Sequence, residues 1–188
     1  MRSIRVIGCS HNGEDCVLAA LGDLLDDLSP TQLILEIPDN AAETGALRWQ
    51  SPEMVWAYNW AQQRGLPIRG YEPVPHMSIL RAELSPDRIA ELVEEVRRLG
   101  REIGPQRAID FYSRGYAPRT PTELRLKELD AELIDPVRAK GRTQAIIENI
   151  KVMAQQAGTV VIVCGSNHTP HIARAFENCE IASSEFFY

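Results

Sequence analysis

The sequence predicts an α/β protein with a mostly parallel open sheet, helices on both faces and a helical insertion acting as a lid. Short, nearly continuous apolar runs alternate with segments whose apolar residues recur at helical spacing. Strands that are apolar at almost every position are typical of parallel sheets covered on both faces. A charged stretch interrupts this alternation and predicts the insertion. We expect the 188 residues to form a single domain, 1–188, with the insertion at about 76–140.

The first 70 residues follow the order strand, helix, strand, helix, strand. The predicted segments are a strand at 4–7, a helix at 14–28, a strand at 32–37, a helix at 51–65 and a strand at 66–69. Gly8 permits a turn after the first strand, and Ser29-Pro30 and Gly65 end the two helices. Because consecutive strands are joined by helices, this order predicts parallel pairing with right-handed crossovers.

Residues 76–140 break this alternation with charged helical segments at 85–100, 105–114 and 123–133. This stretch has few large apolar residues, so we expect it to lack a core of its own and to cover one edge of the sheet. Alternation then returns with a helix from Arg142 to Ala157, in which Gly158 is the expected C-cap. The run TVVIVC (159–164) predicts a buried strand, followed by a helix at 170–176 and a terminal strand at 180–187.

Composition and charge limit the classes of function. The net charge of −6 and the scattered basic residues argue against a nucleic-acid surface, and they favour a small-molecule or peptide substrate. No stretch is long and apolar enough to span a membrane, and the N-terminus does not resemble a signal peptide. We therefore expect a cytoplasmic protein without membrane or nucleic-acid partners. The terminal strand, exposed at the edge of the sheet, makes a homodimer plausible.

Polar side chains follow the predicted strands at the edge where parallel sheets bind ligands. His11 follows the first strand, Glu36 closes the second, Glu72 follows the third and His168 follows TVVIVC. Arg142 begins the helix that leads into TVVIVC, which places it at the same edge of the sheet as these four residues. A carboxylate that ends an apolar strand, as Glu36 does in LILEI, needs a metal, a cation or a hydrogen-bond donor to compensate its burial. We therefore expect these groups to meet.

Several alternatives concern the loop GCSHNGEDC at residues 8–16. It lacks the glycines of a dinucleotide fingerprint and the Gly-Lys-Ser/Thr of a P-loop, so a nucleotide site is disfavoured. Cys9 is a weaker candidate for a thiolate nucleophile, and Ser10 for a nucleophile with His168 as its base. Glu72-Pro73 is equally well explained as a turn. A polar rim without activity, in a small interaction module, is a further interpretation.

Four short segments resemble motifs of the TraB/PrgY–TIKI superfamily, which is related to erythromycin esterase-like and ChaN-like proteins. Gly8-Cys9-Ser10-His11 resembles its GxxH motif, and Leu35-Glu36-Ile37 resembles its strand-ending glutamate. Arg142 in GRTQAIIENI resembles its helix-borne arginine. The run from Val163 to His168 resembles its late strand and glycine-histidine element, although it reads GSNH rather than GAGH. The segments occur in the family's order, whereas residues 76–140 align with nothing in it.

The resemblance implies a hydrolase of an amide, ester or lactone bond. It implies a divalent metal (Mn, Co or Zn), or an activated water, held by His11, Glu36 and His168. Glu72 would then act as general base, and Arg142 would stabilise the developing oxyanion or hold a substrate carboxylate. If no metal is bound, His168 or His11 would be the base, oriented by Glu36. The alternative that the resemblance allows is a non-catalytic protein that binds a small ligand or haem in the same cleft.

Overall fold

The computed structural model describes residues 2–9, 15–72, 79–104, 107, 117–155, 157–165 and 168–186. The chain divides into two compact units, which are taken here one at a time. The sheet unit comprises Met1–Pro73 and Ala145–Tyr188, and the helical unit comprises Val74–Gln144. The helical unit thus contains the stretch predicted as an insertion, with slightly wider bounds.

The sheet unit is built on parallel strands, as predicted. Its strands are β1 (Arg2–Cys9), β2 (Gln32–Leu35), β3 (Ile68–Gly70), β4 (Gly158–Gly165) and β5 (Cys179–Phe186). Within the described residues they form one five-stranded sheet in the order β3-β2-β4-β1-β5, and every pairing is parallel. The α/β fold class is therefore confirmed. The terminal strand β5 lies at one edge of this sheet, beside β1.

Helices cover both faces of the sheet. The helices whose bounds lie within the described residues are α1 (Asp15–Leu28), α2 (Pro52–Gln63), α3 (Pro86–Ile103), α4 (Pro121–Leu133), α5 (Pro136–Met153) and α6 (Thr169–Arg174), and a short 3-10 helix spans Ala46–Trp49. Buried residues of α1 and α2 pack with Ile7, Leu35 and Val163 on one face. Buried residues of α5 and α6 pack with Ile34 and Ile162 on the other. Neighbouring strand residues point to opposite faces, so β1, β2 and β4 each contribute to both clusters.

The helical unit has its own hydrophobic core, contrary to the prediction. Buried leucines from α3 and α4 form a cluster, and Leu80 packs against them. The members of this cluster are Leu80, Leu92, Leu99, Leu126, Leu129 and Leu133. The core is small because α3 and α4 each contribute only one narrow apolar stripe, and charged residues fill the rest of their surfaces. The helix predicted at 105–114 lies outside the described residues except for Arg107.

Two predicted helix boundaries are wrong. The helix expected to begin at Arg142 begins at Pro136, because proline suits the first turn and Asp135 caps it by accepting from the N–H groups of Val137 and Arg138. Arg142 therefore lies about two turns inside α5 rather than at its start. Gly158 was expected to cap this helix, but it opens β4 with φ +107°, a conformation that glycine adopts readily. None of the described helices is long and apolar enough to cross a membrane.

We expect Gly70→Ala to destabilise the sheet unit by about 2 kcal/mol, the usual range for overpacking a tight site. A methyl group on Gly70 would lie 2.6 Å from the carbonyl carbon of Pro38, and backbone atoms there cannot move aside cheaply. Urea unfolding followed by circular dichroism measures the change. Gly100→Ala is the matched control, because nothing lies within 4 Å of its added Cβ in α3 and alanine favours helix. Equal stability of the two variants would contradict the crowding argument.

The Glu123 carboxylate stabilises the helical unit in a pH-dependent way. It accepts hydrogen bonds from the side chain of Arg107 and from the backbone N–H groups of Arg119 and Thr120. Together these bonds lower its pKa from 4.5 to about 2, the Arg107 side chain contributing most.

We therefore expect Glu123→Gln to lower Tm at pH 7, and the deficit to shrink as the pH falls from about 4.5 towards 2. Thermal unfolding between pH 7 and pH 3 measures this convergence. Glu128→Gln removes only an exposed pair with Arg125 and should change Tm little at any pH. A Tm deficit in Glu123→Gln that stays constant down to pH 3 would rule out the ionised carboxylate as its cause.

Candidate active site

The topology places a switch point at the carboxyl ends of β1 and β4. These strands are neighbours, but α1, which follows β1, packs on one face of the sheet, and α6, which follows β4, packs on the other. The two connections therefore diverge, as at the topological switch points where open α/β sheets bind ligands. Cys9 and Gly165 are paired at the end of this strand pair.

Glu36 lies beside this switch point, directly after β2. Its backbone N–H donates to the carbonyl of Val163 at 3.1 Å, which continues the β2–β4 pairing by one residue. One carboxylate oxygen, Oε2, accepts from the N–H of Gly165 at 2.5 Å. The other, Oε1, lies 3.2 Å from Nε2 of His168. The side chains of Glu36 and His168 are 14% and 19% exposed, so the contact is shielded but solvent reaches its rim.

Backbone geometry fixes the position of His168. It is the residue that precedes α6, with φ −88° and ψ −22°, and its side chain does not cap that helix. β4 ends at Gly165, so the N–H donor to Glu36 lies three positions before the histidine whose imidazole contacts the same carboxylate. The end of β4 and the start of α6 therefore supply two partners to one carboxylate from β2.

The strand register places a phenol and a thiol on either side of Glu36. Leu35 is paired with Gly70 of β3 and with Val163 of β4, so the next residues along, Tyr71 and Cys164, flank Glu36 at the same level. Tyr71 and Cys164 belong to the core cluster on the α5 face. The alternation of side chains along β2 puts Glu36 on this face too, because Leu35 packs on the opposite one.

Both flanking groups are held in their neutral forms. Tyr71 is fully buried, and burial, followed by the negative charge of Glu36, raises the pKa of its hydroxyl well above the ordinary value. Burial and Glu36 likewise raise the pKa of the Cys164 thiol. Removing a proton from either would place a second negative charge beside the carboxylate. Glu36 is therefore flanked by two proton donors that stay protonated at physiological pH.

The hydroxyl oxygen of Tyr71 has no hydrogen-bond partner of normal geometry among the described residues, although the backbone around it is well held. The Tyr71 N–H donates to Leu35 at 3.0 Å, and its carbonyl accepts from the Asn149 side chain of α5 at 3.1 Å. A side-chain hydrogen bond with Glu36 is nevertheless among the causes of its raised pKa, so the carboxylate lies within reach of the hydroxyl.

Of the predicted site residues, the structure brings Glu36 and His168 together. Glu72 follows Tyr71 in the sheet unit, and its charge contributes to raising the Tyr71 pKa, which places it on the same rim. Arg142 is buried, at 6% exposed, but belongs to the helical unit, so its part in the site stays a prediction. His11 lies outside the described residues.

The predicted metal centre has three ligands, of which the structure describes two. Glu36 and His168 contact each other, and the third predicted ligand, His11, is outside the described residues. Within the part of the chain that the structure describes, no three His, Cys, Asp or Glu side chains are grouped so that they could hold a metal ion. The described donors are therefore a pair, one imidazole nitrogen and one carboxylate.

The thiol of Cys9 is unsuited to the nucleophilic role considered from the sequence. Its side chain is fully buried in the core cluster on the α1 and α2 face. Burial, together with the charges of Glu53 and Glu36, raises its pKa far above that of a free thiol. Since the thiolate is the nucleophile, Cys9 is inert. Ser10 lies outside the described residues.

Sequence reasoning missed two residues of this rim, Glu53 and Tyr71. Glu53 is fully buried in the first turn of α2, and its charge raises the Cys9 pKa, so a second carboxylate lies near the end of β1. The available signal was its spacing, because Glu53 precedes buried Ala57 by four residues and so shares its helical face. For Tyr71 the signal was its place immediately after the third strand, one residue before Glu72.

Comparison with known proteins identifies no relative: no family model matches the chain, and neither a curated protein nor a solved structure does.

We expect the Cys9 and Cys164 thiols to resist alkylation in the folded protein. Both are fully buried with raised pKa values, so neither offers a thiolate to the reagent. A brief pulse of iodoacetamide at pH 8, followed by peptide mass mapping, should leave both unmodified in buffer and label both in 8 M urea. Cys179 is only half-buried, with its pKa raised to about 11, and serves as the internal comparison. Faster labelling of Cys9 than of Cys179 would restore Cys9 as a nucleophile.

Proposed function

We propose that the protein is a hydrolase of an amide, ester or lactone bond and that Glu36 and His168 activate the attacking water. The observation that carries this proposal is the 3.2 Å contact between His168 Nε2 and Glu36 Oε1, with the other oxygen of the carboxylate held by the Gly165 N–H. The position of the contact beside the switch point of the sheet and its partial exposure support a ligand site there. Glu36 and His168 each lie in a segment that resembles a motif of the superfamily, and their side chains contact each other.

The contact defines how the imidazole would act as a base. A carboxylate oxygen accepts hydrogen bonds, so the contact is attractive when the imidazole proton is on Nε2. Nδ1 then carries the lone pair and can take a proton from water as that water attacks the acyl carbon. The imidazolium that forms is stabilised by the negative charge of Glu36. It returns the proton to the leaving oxygen or nitrogen, which completes the hydrolysis.

The donor types also fit a divalent metal ion. Two ligands of one ion, each about 2.0–2.2 Å from it, lie roughly 3 Å apart, as Glu36 Oε1 and His168 Nε2 do. Imidazole with carboxylate suits Mn²⁺, Co²⁺ or Zn²⁺, and His11 is the proposed third ligand. When bound, such an ion would polarise a carbonyl and lower the pKa of a coordinated water. Glu72 as general base and Arg142 as oxyanion partner remain part of the proposal.

Hydrolysis assays of wild type, His168→Ala and Glu36→Gln test the proposal. The substrates are p-nitrophenyl esters, N-acyl lactones and amino-acid p-nitroanilides, each with chelator and with added Mn²⁺, Co²⁺ or Zn²⁺. We expect kcat/KM to fall about 100- to 10,000-fold in His168→Ala, because a general base or metal ligand is lost. Glu36→Gln should lose about 10- to 1,000-fold, since the imidazole keeps its place but loses the stabilising charge.

The control is His171→Ala, which removes an exposed imidazole from the same short helix. It should hydrolyse as wild type does. Unchanged activity in folded His168→Ala would exclude the proposed site. A Soret band on haem titration that disappears in His168→Ala, without hydrolysis of any substrate, would instead support the ligand-binding alternative.

A further inference from the structure

We infer that a cavity at the amino end of β1, at the opposite edge of the sheet from Glu36 and His168, binds an apolar α-amino acid as its zwitterion. The cavity has a volume of about 370 Å³, which is within the range of pockets that hold small molecules. Its lining includes Arg2, Ile4, Lys151, Phe176, Glu177 and Asn178. This binding site is separate from the proposed hydrolase site and does not depend on its activity.

Three segments of the sheet unit build the cavity. Arg2 opens β1, Lys151 lies in the last turn of α5, and Glu177 belongs to the turn between α6 and β5. Ile4 is paired with Cys179, the first residue of β5, so this turn lies beside the start of β1. The charged groups of the lining are therefore far apart in the sequence and are brought together by the fold.

The side chain of Arg2 is held in place at the end of α5. Its Nη1 donates to the carbonyl of Ala154 at 2.7 Å. Because Arg2 and Ile4 are two residues apart on β1, both side chains lie on the α5 face, where Ile4 is buried in the core cluster. A guanidinium has five N–H donors in a planar fork, so a group anchored through Nη1 can still donate to a ligand carboxylate.

The charges of the lining fit a ligand that carries both signs. Arg2 and Lys151 supply two positive charges for an α-carboxylate, and Glu177 supplies a negative charge for an α-ammonium group. A simple anion would be repelled by Glu177, and a simple cation would be repelled by both basic residues. An α-amino acid has its two charged groups on one carbon atom, so it is compatible with all three residues.

The remaining residues favour an apolar side chain on this ligand. Phe176 packs, partly buried, against the core cluster on the α5 face, and Ile4 belongs to that cluster. Both line the cavity and offer apolar surface on which a leucine or phenylalanine side chain would lose its contact with water. The Asn178 amide can donate to the ligand carboxylate or accept from its ammonium group.

Thermal unfolding of the full chain with added L-phenylalanine or L-leucine tests the inference. A ligand that binds the folded protein raises Tm as its concentration increases, and the rise gives an apparent Kd. We expect such a rise with both amino acids. 3-Phenylpropionate lacks the ammonium group and 2-phenylethylamine lacks the carboxylate, so each should bind at least about tenfold more weakly than L-phenylalanine.

Two charge-neutralising variants locate the binding site. Lys151→Gln and Glu177→Gln should each weaken L-phenylalanine binding at least about fivefold, because each removes one charged partner of the ligand. Lys140→Gln is the matched control, since Lys140 lies on an earlier turn of α5 and is not among the residues that line the cavity. All three residues are exposed, so the variants should have wild-type Tm without ligand.

Three results would overturn the inference. No rise in Tm with either amino acid at about 20 mM, well above a Kd of about 1 mM, would mean that the cavity does not bind them. Binding of 3-phenylpropionate as tight as that of L-phenylalanine would mean that Glu177 does not contact an ammonium group. Equal binding by wild type, Lys151→Gln and Glu177→Gln would place the ligand elsewhere. Hydrolysis by the Glu36 and His168 variants is measured separately, so failure of either proposal is distinguishable from failure of the other.

Discussion

The site depends on how the charge of one carboxylate is compensated at the end of an apolar strand. Glu36 is mostly removed from water, and an ionised carboxylate in such a place is strongly unfavourable unless donors replace the lost hydration. The Gly165 N–H and the His168 imidazole provide this compensation, one to each oxygen. Both come from the end of β4, so the position of that strand next to β2 makes the buried charge tolerable.

The register of the parallel sheet therefore decides which groups surround Glu36. Leu35 is paired with Val163 on one side and Gly70 on the other, which sets Glu36 level with Cys164 and Tyr71. A shift of β2 by one residue would turn Glu36 towards the α1 and α2 face and leave it among aliphatic side chains. The core on both faces opposes such a shift, because every strand residue from Leu33 to Leu35 is fully buried.

Local patterns in the sequence were enough to predict the fold class and the central carboxylate. Apolar runs joined by amphipathic helices identified the parallel sheet, and a charged residue inside LILEI marked Glu36. Strand order was not predictable in this way, because the insertion of β4 between β1 and β2 is decided by long-range packing. The same strand order brings Glu36 next to Gly165, so this partner of the carboxylate could not be predicted from the sequence either. Tyr71 was not predicted because its place beside Glu36 follows from the register between β2 and β3.

The errors in the helical unit and in α5 have local causes. Asp135-Pro136 carries a capping residue followed by a proline that suits the first helical turn, and this pair was visible in the sequence. The leucines of α3 and α4 are spaced so that each helix offers only one narrow stripe, which made each segment look too polar to form a core. When the apolar stripes of α3 and α4 face each other, together they form a buried core.

The neighbours of Glu36 also explain why its oxygens remain directed at Gly165 and His168. Among the described residues, the Cys164 thiol makes long contacts of 3.6 Å with the Ile7 carbonyl and the Thr169 hydroxyl, and a thiol is a weak donor. A serine at that level would be a stronger donor and would compete with the imidazole for the carboxylate. Cysteine fills the apolar space beside the charge without that competition. Because its raised pKa keeps it neutral, it also adds no second negative charge to a place where one is already difficult to compensate.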